Sequence, residues 1–182
     1  MNINVYTEST PNPATMKFIV NKLLINGSVD YATKESAEKS PFAKELYKFS
    51  FVNGVFFASN FVTVTKTEGT DWNDIEAIIK EFVKGAVESE LAVQLKEQEE
   101  VAFEGTEAEI KIQQILQDYV RPAVEQDGGA ITYKSFNEGI VTVELRGSCS
   151  GCPSSTVTLK SGIENLLKRM VPEVTEVVSE AM

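Results

Sequence analysis

Cys149 and Cys152 are the only cysteines of this 182-residue chain, held in the run Cys149-Ser150-Gly151-Cys152-Pro153, and the chain has no histidine. Two thiolates with a two-residue spacer can face one centre, and they are half of the ligand set of a tetrahedral zinc site or an iron–sulfur cluster. Without histidine, one copy of the chain lacks the usual soft ligands to complete such a site. Ligand arithmetic therefore points to a second copy, or to redox chemistry of the pair itself. A cubane of four irons, each taking one protein ligand, requires two chains with their cysteine turns face to face across a two-fold axis. The same count serves a four-thiolate zinc site or a smaller cluster, so it leaves the metal open.

Other chemistries fit less well. Hydrolysis through a cysteine–histidine pair is excluded for want of histidine. A thioredoxin-like dithiol also sits at a helix start, but here a β-hairpin precedes the pair and no aromatic residue stands just before Cys149. Two inert core cysteines are disfavoured because Ser-Gly-Cys-Pro is a poor core sequence and the turn is expected near the surface.

The elements that must position the sulfurs can be read around them. Gly147 and Gly151 flank a sharp strand-to-helix turn, and Pro153 suits a first helical turn, where its missing N–H costs nothing. Leu159, Ile163, Leu166, Leu167 and Met170 recur at helical spacing until Pro172. The free N–H groups and positive end of that helix favour thiolate over thiol, and can donate to cluster sulfides. Upstream, Thr106 and Glu109 form a capping box ahead of the stripe Ile112, Ile115, Leu116 and Tyr119, and Asp127-Gly128-Gly129 ends the helix. A strand over residues 130–136, the turn Asn137-Glu138-Gly139 and a strand over 140–146 follow, with a last short strand expected at 174–178. The order helix, strand, strand, helix, strand predicts a small α+β domain with a mixed sheet.

The N-terminal half carries no comparable chemistry. Strands are expected over residues 2–8 and 16–20, broken by Ser9-Thr10-Pro11-Asn12-Pro13. Ser40-Pro41 opens a helix to about residue 49, and residues 55–58 and 61–65 form a hairpin about Ser59-Asn60. Asp71 caps a second helix with the stripe Ile75, Ile78, Ile79, Phe82 and Ala86. The fold class expected is α+β, as two small α+β domains over residues 1–92 and 106–182, with a charged, Gln-rich linker at 93–105.

A formal net charge of −10 disfavours nucleic acid and anionic membranes as partners. No stretch approaches the ~18–20 apolar residues of a membrane span, and the first residues lack the pattern of a signal or transit peptide, so a cytosolic protein is expected.

From residue 106 to 178 the chain resembles the NifU C-terminal, or Nfu, domain. The resemblance is carried by Gly147-Ser148-Cys149-Ser150-Gly151-Cys152-Pro153-Ser154-Ser155, with Arg121-Pro122, Asp127-Gly128-Gly129, Thr156-Val157-Thr158-Leu159-Lys160 and Gly162-Ile163-Glu164 in support. The first half resembles the N-terminal domain often found ahead of it, through Thr10-Pro11-Asn12-Pro13, Lys17-Phe18, Val55-Phe56-Phe57 and Phe61-Val62-Thr63-Val64. The resemblance leads to the expectation of an acidic residue after the two glycines, where this chain has Ala130. The resemblance implies a non-catalytic iron–sulfur cluster scaffold or carrier, with a 4Fe-4S cluster shared between two subunits through Cys149 and Cys152. Its partners would be a second copy of the chain, apo iron–sulfur proteins as recipients, and upstream cluster-assembly proteins. The rival classes are a dithiol oxidoreductase and a zinc-linked structural dimer.

Overall fold

The computed structural model describes residues 2–93, 105–149 and 153–181. Of the expected linker, residues 94–104 lie outside the described residues. The chain divides into two compact units, Met1–Gln98 and Glu99–Met182, each with its own hydrophobic core.

The first unit is a five-stranded antiparallel sheet with helices packed on one face. Its strands are β1 (Val5–Ser9), β2 (Thr15–Val20), β3 (Ser28–Tyr31), β4 (Val52–Ala58) and β5 (Phe61–Lys66), in the order β1-β2-β5-β4-β3. β1 starts later than the pattern suggests, because the Asn4 N–H donates to the Asn21 side chain at 2.9 Å and not to a strand. Helix α1 (Pro41–Leu46) is capped by Ser40, whose hydroxyl accepts from the Ala43 N–H at 3.1 Å. Helix α2 (Trp72–Glu88) is capped by Asp71 and buries Ile75, Ile79, Val83, Ala86 and Val87. The buried stripe therefore runs through Val83; Ile78 is exposed and Phe82 only half-buried. The Thr10–Pro13 turn is fastened from within and from α2. Thr10 Oγ1 donates to the Asn12 carbonyl, Asn12 Oδ1 accepts from the Ala14 N–H, and Trp72 Nε1 donates to the Pro13 carbonyl.

The second unit has the expected order. Thr106 and Glu109 close a complete capping box at the start of α3 (Glu107–Ile115), with the Thr106 N–H donating to Glu109 at 2.7 Å. The Tyr133 hydroxyl also donates to Glu109, at 2.9 Å, tying the helix start to the sheet. The Thr106 backbone N–H, then Tyr133 and the Thr106 hydroxyl, hold the Glu109 carboxyl below its usual range. Past α3 the rod widens into a π-helical turn, Leu116–Val120, and continues as α4 (Arg121–Gln126). The cause is Pro122, which has no N–H and whose ring crowds the carbonyl four residues back. The Arg121 N–H reaches Leu116 instead, an i→i−5 bond. Tyr119, expected on the apolar stripe, is consequently 61% exposed, and Val120 takes the buried place.

The sheet of this unit has strands β6 (Gly129–Asn137), β7 (Ile140–Gly147) and β8 (Glu176–Ala181) in that order, with β6 antiparallel and β8 parallel to β7. Glu138 and Gly139, with φ of 49° and 84°, make the two-residue hairpin turn. Helix α5 (Pro153–Met170) packs Ile163 and Leu167 into the core with Ile112, Val124, Val141, Val143 and Leu145. The mixed sheet and the α+β class agree with the expectation from the sequence. The last strand begins two residues later than expected, because Val174 turns into the core and the Thr175 N–H first bonds the Gly139 carbonyl at 2.7 Å.

Candidate functional site

The site is built where α4 stops and β7 ends. Helix α4 terminates at Asp127, and Gly128, with φ of 80°, takes the left-handed conformation that turns the chain into β6. Directly across the first rung of the ladder, Gly129 pairs with Gly147, whose φ of 67° folds the chain off the end of β7. Both left-handed positions are glycine because a Cβ there is strained. The folded-back segment then lies against the helix-stop turn. The Ser148 N–H donates to the Gly128 carbonyl at 3.3 Å, and the Ser148 hydroxyl donates to the Asp127 carbonyl.

These bonds place Cys149 inward. Its side chain joins the core cluster with Ile112, Val124 and Leu145, and the residue is 7% exposed. Its Sγ lies over Gly129 so closely that a Cβ on that glycine would stand 2.7 Å from the sulfur and 2.7 Å from the Arg146 carbonyl oxygen. The surface position expected for this turn is thus corrected at Cys149: the backbone reversal at Gly147 points the thiol back under the sheet end, not outward. Cys152, the second expected ligand, lies outside the described residues, and α5 begins at Pro153, one residue beyond it. Among the described residues, no cluster of three or more His, Cys, Asp or Glu side chains forms a metal site elsewhere.

The opposite face of the sheet is polar. The Glu144 carboxylate, 3% exposed as a residue, bridges Lys134 at 3.0 Å and Arg146 at 2.8 Å. Burial pushes its pKa up, but the two cations outweigh this and hold it low. Lys134 is the residue skipped by the ladder between Tyr133 and Ser135, and this irregularity leaves it free to reach across to β7. Ala130, 4% exposed, is the cross-strand neighbour of Arg146, so an acid there would sit beside a cation already paired with Glu144.

Sequence reasoning identified the cysteine pair and the helix stop but did not connect them. The partners it missed are Ser148, Asp127 and Gly129. A signal was present: a helix stop needs one left-handed glycine, and the chain spends two in a row.

Fold and site together define a two-unit α+β protein with a buried thiol, Cys149, just past the end of β7 in the second unit. Residues 112–178 match the family model of the NifU-like domain, and residues 5–90 match that of the scaffold protein Nfu/NifU N terminal. The chain is 40% identical over 176 residues to the mitochondrial NFU1 iron-sulfur cluster scaffold homolog of Homo sapiens, across 93% of this chain and 69% of that protein. It is also 40% identical over 185 residues to the mitochondrial NifU-like protein 4 of Arabidopsis thaliana, across 97% of this chain and 65% of that one. The chain belongs to the Nfu/NifU family, as its motifs suggest, and spans about two thirds of the length of these relatives. A solution NMR structure of a NifU-like protein from Saccharomyces cerevisiae superposes with a TM-score of 0.45 at 19% identity, over 52% of this chain and 87% of that one. No helix among the described residues is long and apolar enough to cross a membrane.

Proposed function

We propose that this protein carries an iron–sulfur cluster as cargo: two copies hold one 4Fe-4S cluster through Cys149 and Cys152 of each chain and pass it to apo-proteins. The observation that supports this most is the placement of Cys149, a buried thiol whose preceding residue, Ser148, is bonded to the turn that ends α4, in a chain without histidine whose relatives are named as cluster scaffolds. A ligand sulfur needs only one open direction toward iron, so burial on its other sides is compatible with ligation and shields the bond from water. The N–H groups at the start of α5 suit a thiolate-bound, anionic cargo.

Release proceeds by ligand exchange. A recipient thiol loses its proton as its sulfur binds iron, and the departing thiolate of Cys149 or Cys152 takes a proton up; no electron moves. The first unit serves recipient recognition, residues 93–105 act as a linker between the two domains, and the compartment is the cytosol. Upstream assembly proteins supply the cluster. A dithiol oxidoreductase needs an accessible attacking thiolate, which the burial of Cys149 disfavours. A zinc-linked dimer would be colourless.

Transfer is tested by mixing the cluster-loaded protein with an apo 4Fe-4S enzyme in the presence of an iron chelator. Recovery of acceptor activity despite the chelator is expected. Activation that the chelator abolishes would mean release of free iron and would contradict direct transfer.

A further inference from the structure

The helix-stop turn does more than end α4. Two hydrogen bonds from Ser148, one from its N–H to Gly128 and one from its hydroxyl to Asp127, pin the residue immediately before Cys149 to the end of the helix. Ser148 is itself 2% exposed, so water does not substitute readily for the carbonyl it engages. Gly129 completes the arrangement by absence: the thiol occupies the space that any other side chain at 129 would need. We propose that Ser148 and Gly129 are positioning residues, a staple and a socket that set the depth and direction of the Cys149 sulfur before any cargo arrives. This rests on the reading of Cys149 as a cluster ligand, but the positioning itself is made by this chain's own residues.

The physical argument is one of preorganisation. A cysteine on an unpinned turn samples many directions, and each ligand bond must then order it. A pinned thiol binds with less ordering, and it also resists exchange until the staple opens. Ser148 therefore governs how readily Cys149 is released, while Gly129 governs where the sulfur sits. The two substitutions should differ in kind. Removing the hydroxyl loosens the turn without adding bulk, whereas a methyl at 129 displaces the sulfur and also meets the Arg146 carbonyl.

The test uses the full chain carrying Cys152→Ser, so that Cys149 is the only thiol. Alkylation of the empty protein by iodoacetamide is timed with and without Ser148→Ala. A rise of about five-fold is expected, the shift in local opening on losing one buried hydrogen bond. Thr175→Ala, which removes a hydroxyl donor to the Gly139 carbonyl at the far end of the hairpin, serves as control and should leave the rate unchanged. The rise should persist without slope at low urea, as local opening requires, whereas general destabilisation would give a urea-dependent rate that the control shares. In the two-cysteine chain, Ser148→Ala should still take up the cluster but with an altered visible circular dichroism spectrum and faster loss to a chelator. Gly129→Ala should alter that spectrum more. An unchanged alkylation rate in Ser148→Ala would overturn the staple, and an unchanged spectrum in a folded Gly129→Ala protein would overturn the socket. If alkylation responds as stated yet no variant takes up a cluster, the positioning stands and the carrier reading falls.

Discussion

The two units solve the same packing problem with different materials. The first fills its core with aromatic rings: Phe18, Phe42 and Phe57 are fully buried, with Phe42 and Phe57 in edge contact at 5.1 Å and Phe42 and Phe82 at 6.0 Å. Its buried hydroxyls are used to tie the chain down, Tyr47 donating to the Tyr31 carbonyl at 2.6 Å and Tyr31 to the Val93 carbonyl at 3.0 Å. The second unit has an aliphatic core of Ile112, Val124, Val141 and Leu167, with Cys149 among them. Both units bury polar side chains, Thr15, Lys17, Ser40 and Thr63 in the first and Gln113, Glu144 and Ser148 in the second. The difference lies in what the buried polar group does: Ser40 caps a helix in the first unit, whereas Ser148 fixes the turn that carries the Cys149 thiol in the second.

The largest effect that would sharpen this contrast is loss of the cargo. Cys149→Ser or Cys152→Ser should abolish cluster uptake, read as colour and bound iron after anaerobic loading, while the fluorescence melting curve of Trp72, the only tryptophan and a residue of the first unit, stays in place. Next in size, Phe57→Ala removes a fully buried ring and should cost the first unit about 3–5 kcal/mol in urea unfolding followed at Trp72. Thr106→Ala breaks the capping box of α3 and should cost the second unit ~1 kcal/mol, seen in hydrogen exchange of β6 and β7 and not at Trp72.

The smallest expected effect is in acid. Glu109, Glu144 and Glu164 of the second unit are all held below the usual carboxylate range, Glu164 chiefly by Lys168 and by the Val177 N–H. Below the ordinary carboxylate pKa of about 4.3 the unfolded chain binds protons that the folded unit does not. The stabilisation from these groups is therefore present above that pH and fades as pH falls through their lowered values. Hydrogen-exchange protection of the second unit, taken relative to the intrinsic exchange rate at each pH, should fall below about pH 4 before the Trp72 signal changes. Simultaneous loss of both signals would break the comparison.

How much of this the residues disclose in advance follows the same division. Caps and turns were legible because their chemistry is local: Ser40, Asp71, the Thr106–Glu109 box and the Glu138-Gly139 turn all stand where their side chains imply. The strand Ser28–Tyr31 was not, being a four-residue edge strand with a half-polar sequence. The exchange of Tyr119 for Val120 was hidden because a proline can widen a helix as well as end it, and only the packing of the rod decides which. At the site, the cysteine pair announces itself by type and spacing. Its seat does not, since Asp127, Gly128 and Gly129 meet Ser148 and Cys149 only through a strand pairing that brings residues about 20 positions apart into register.

Anaerobic reconstitution of the full chain with iron and sulfide, followed by metal and sulfide analysis and mass determination on the same sample, decides whether two copies share one cluster. About four irons and four sulfides in a species of two chains are predicted. A monomer without bound sulfide, or a dimer that binds zinc and no iron, would contradict it.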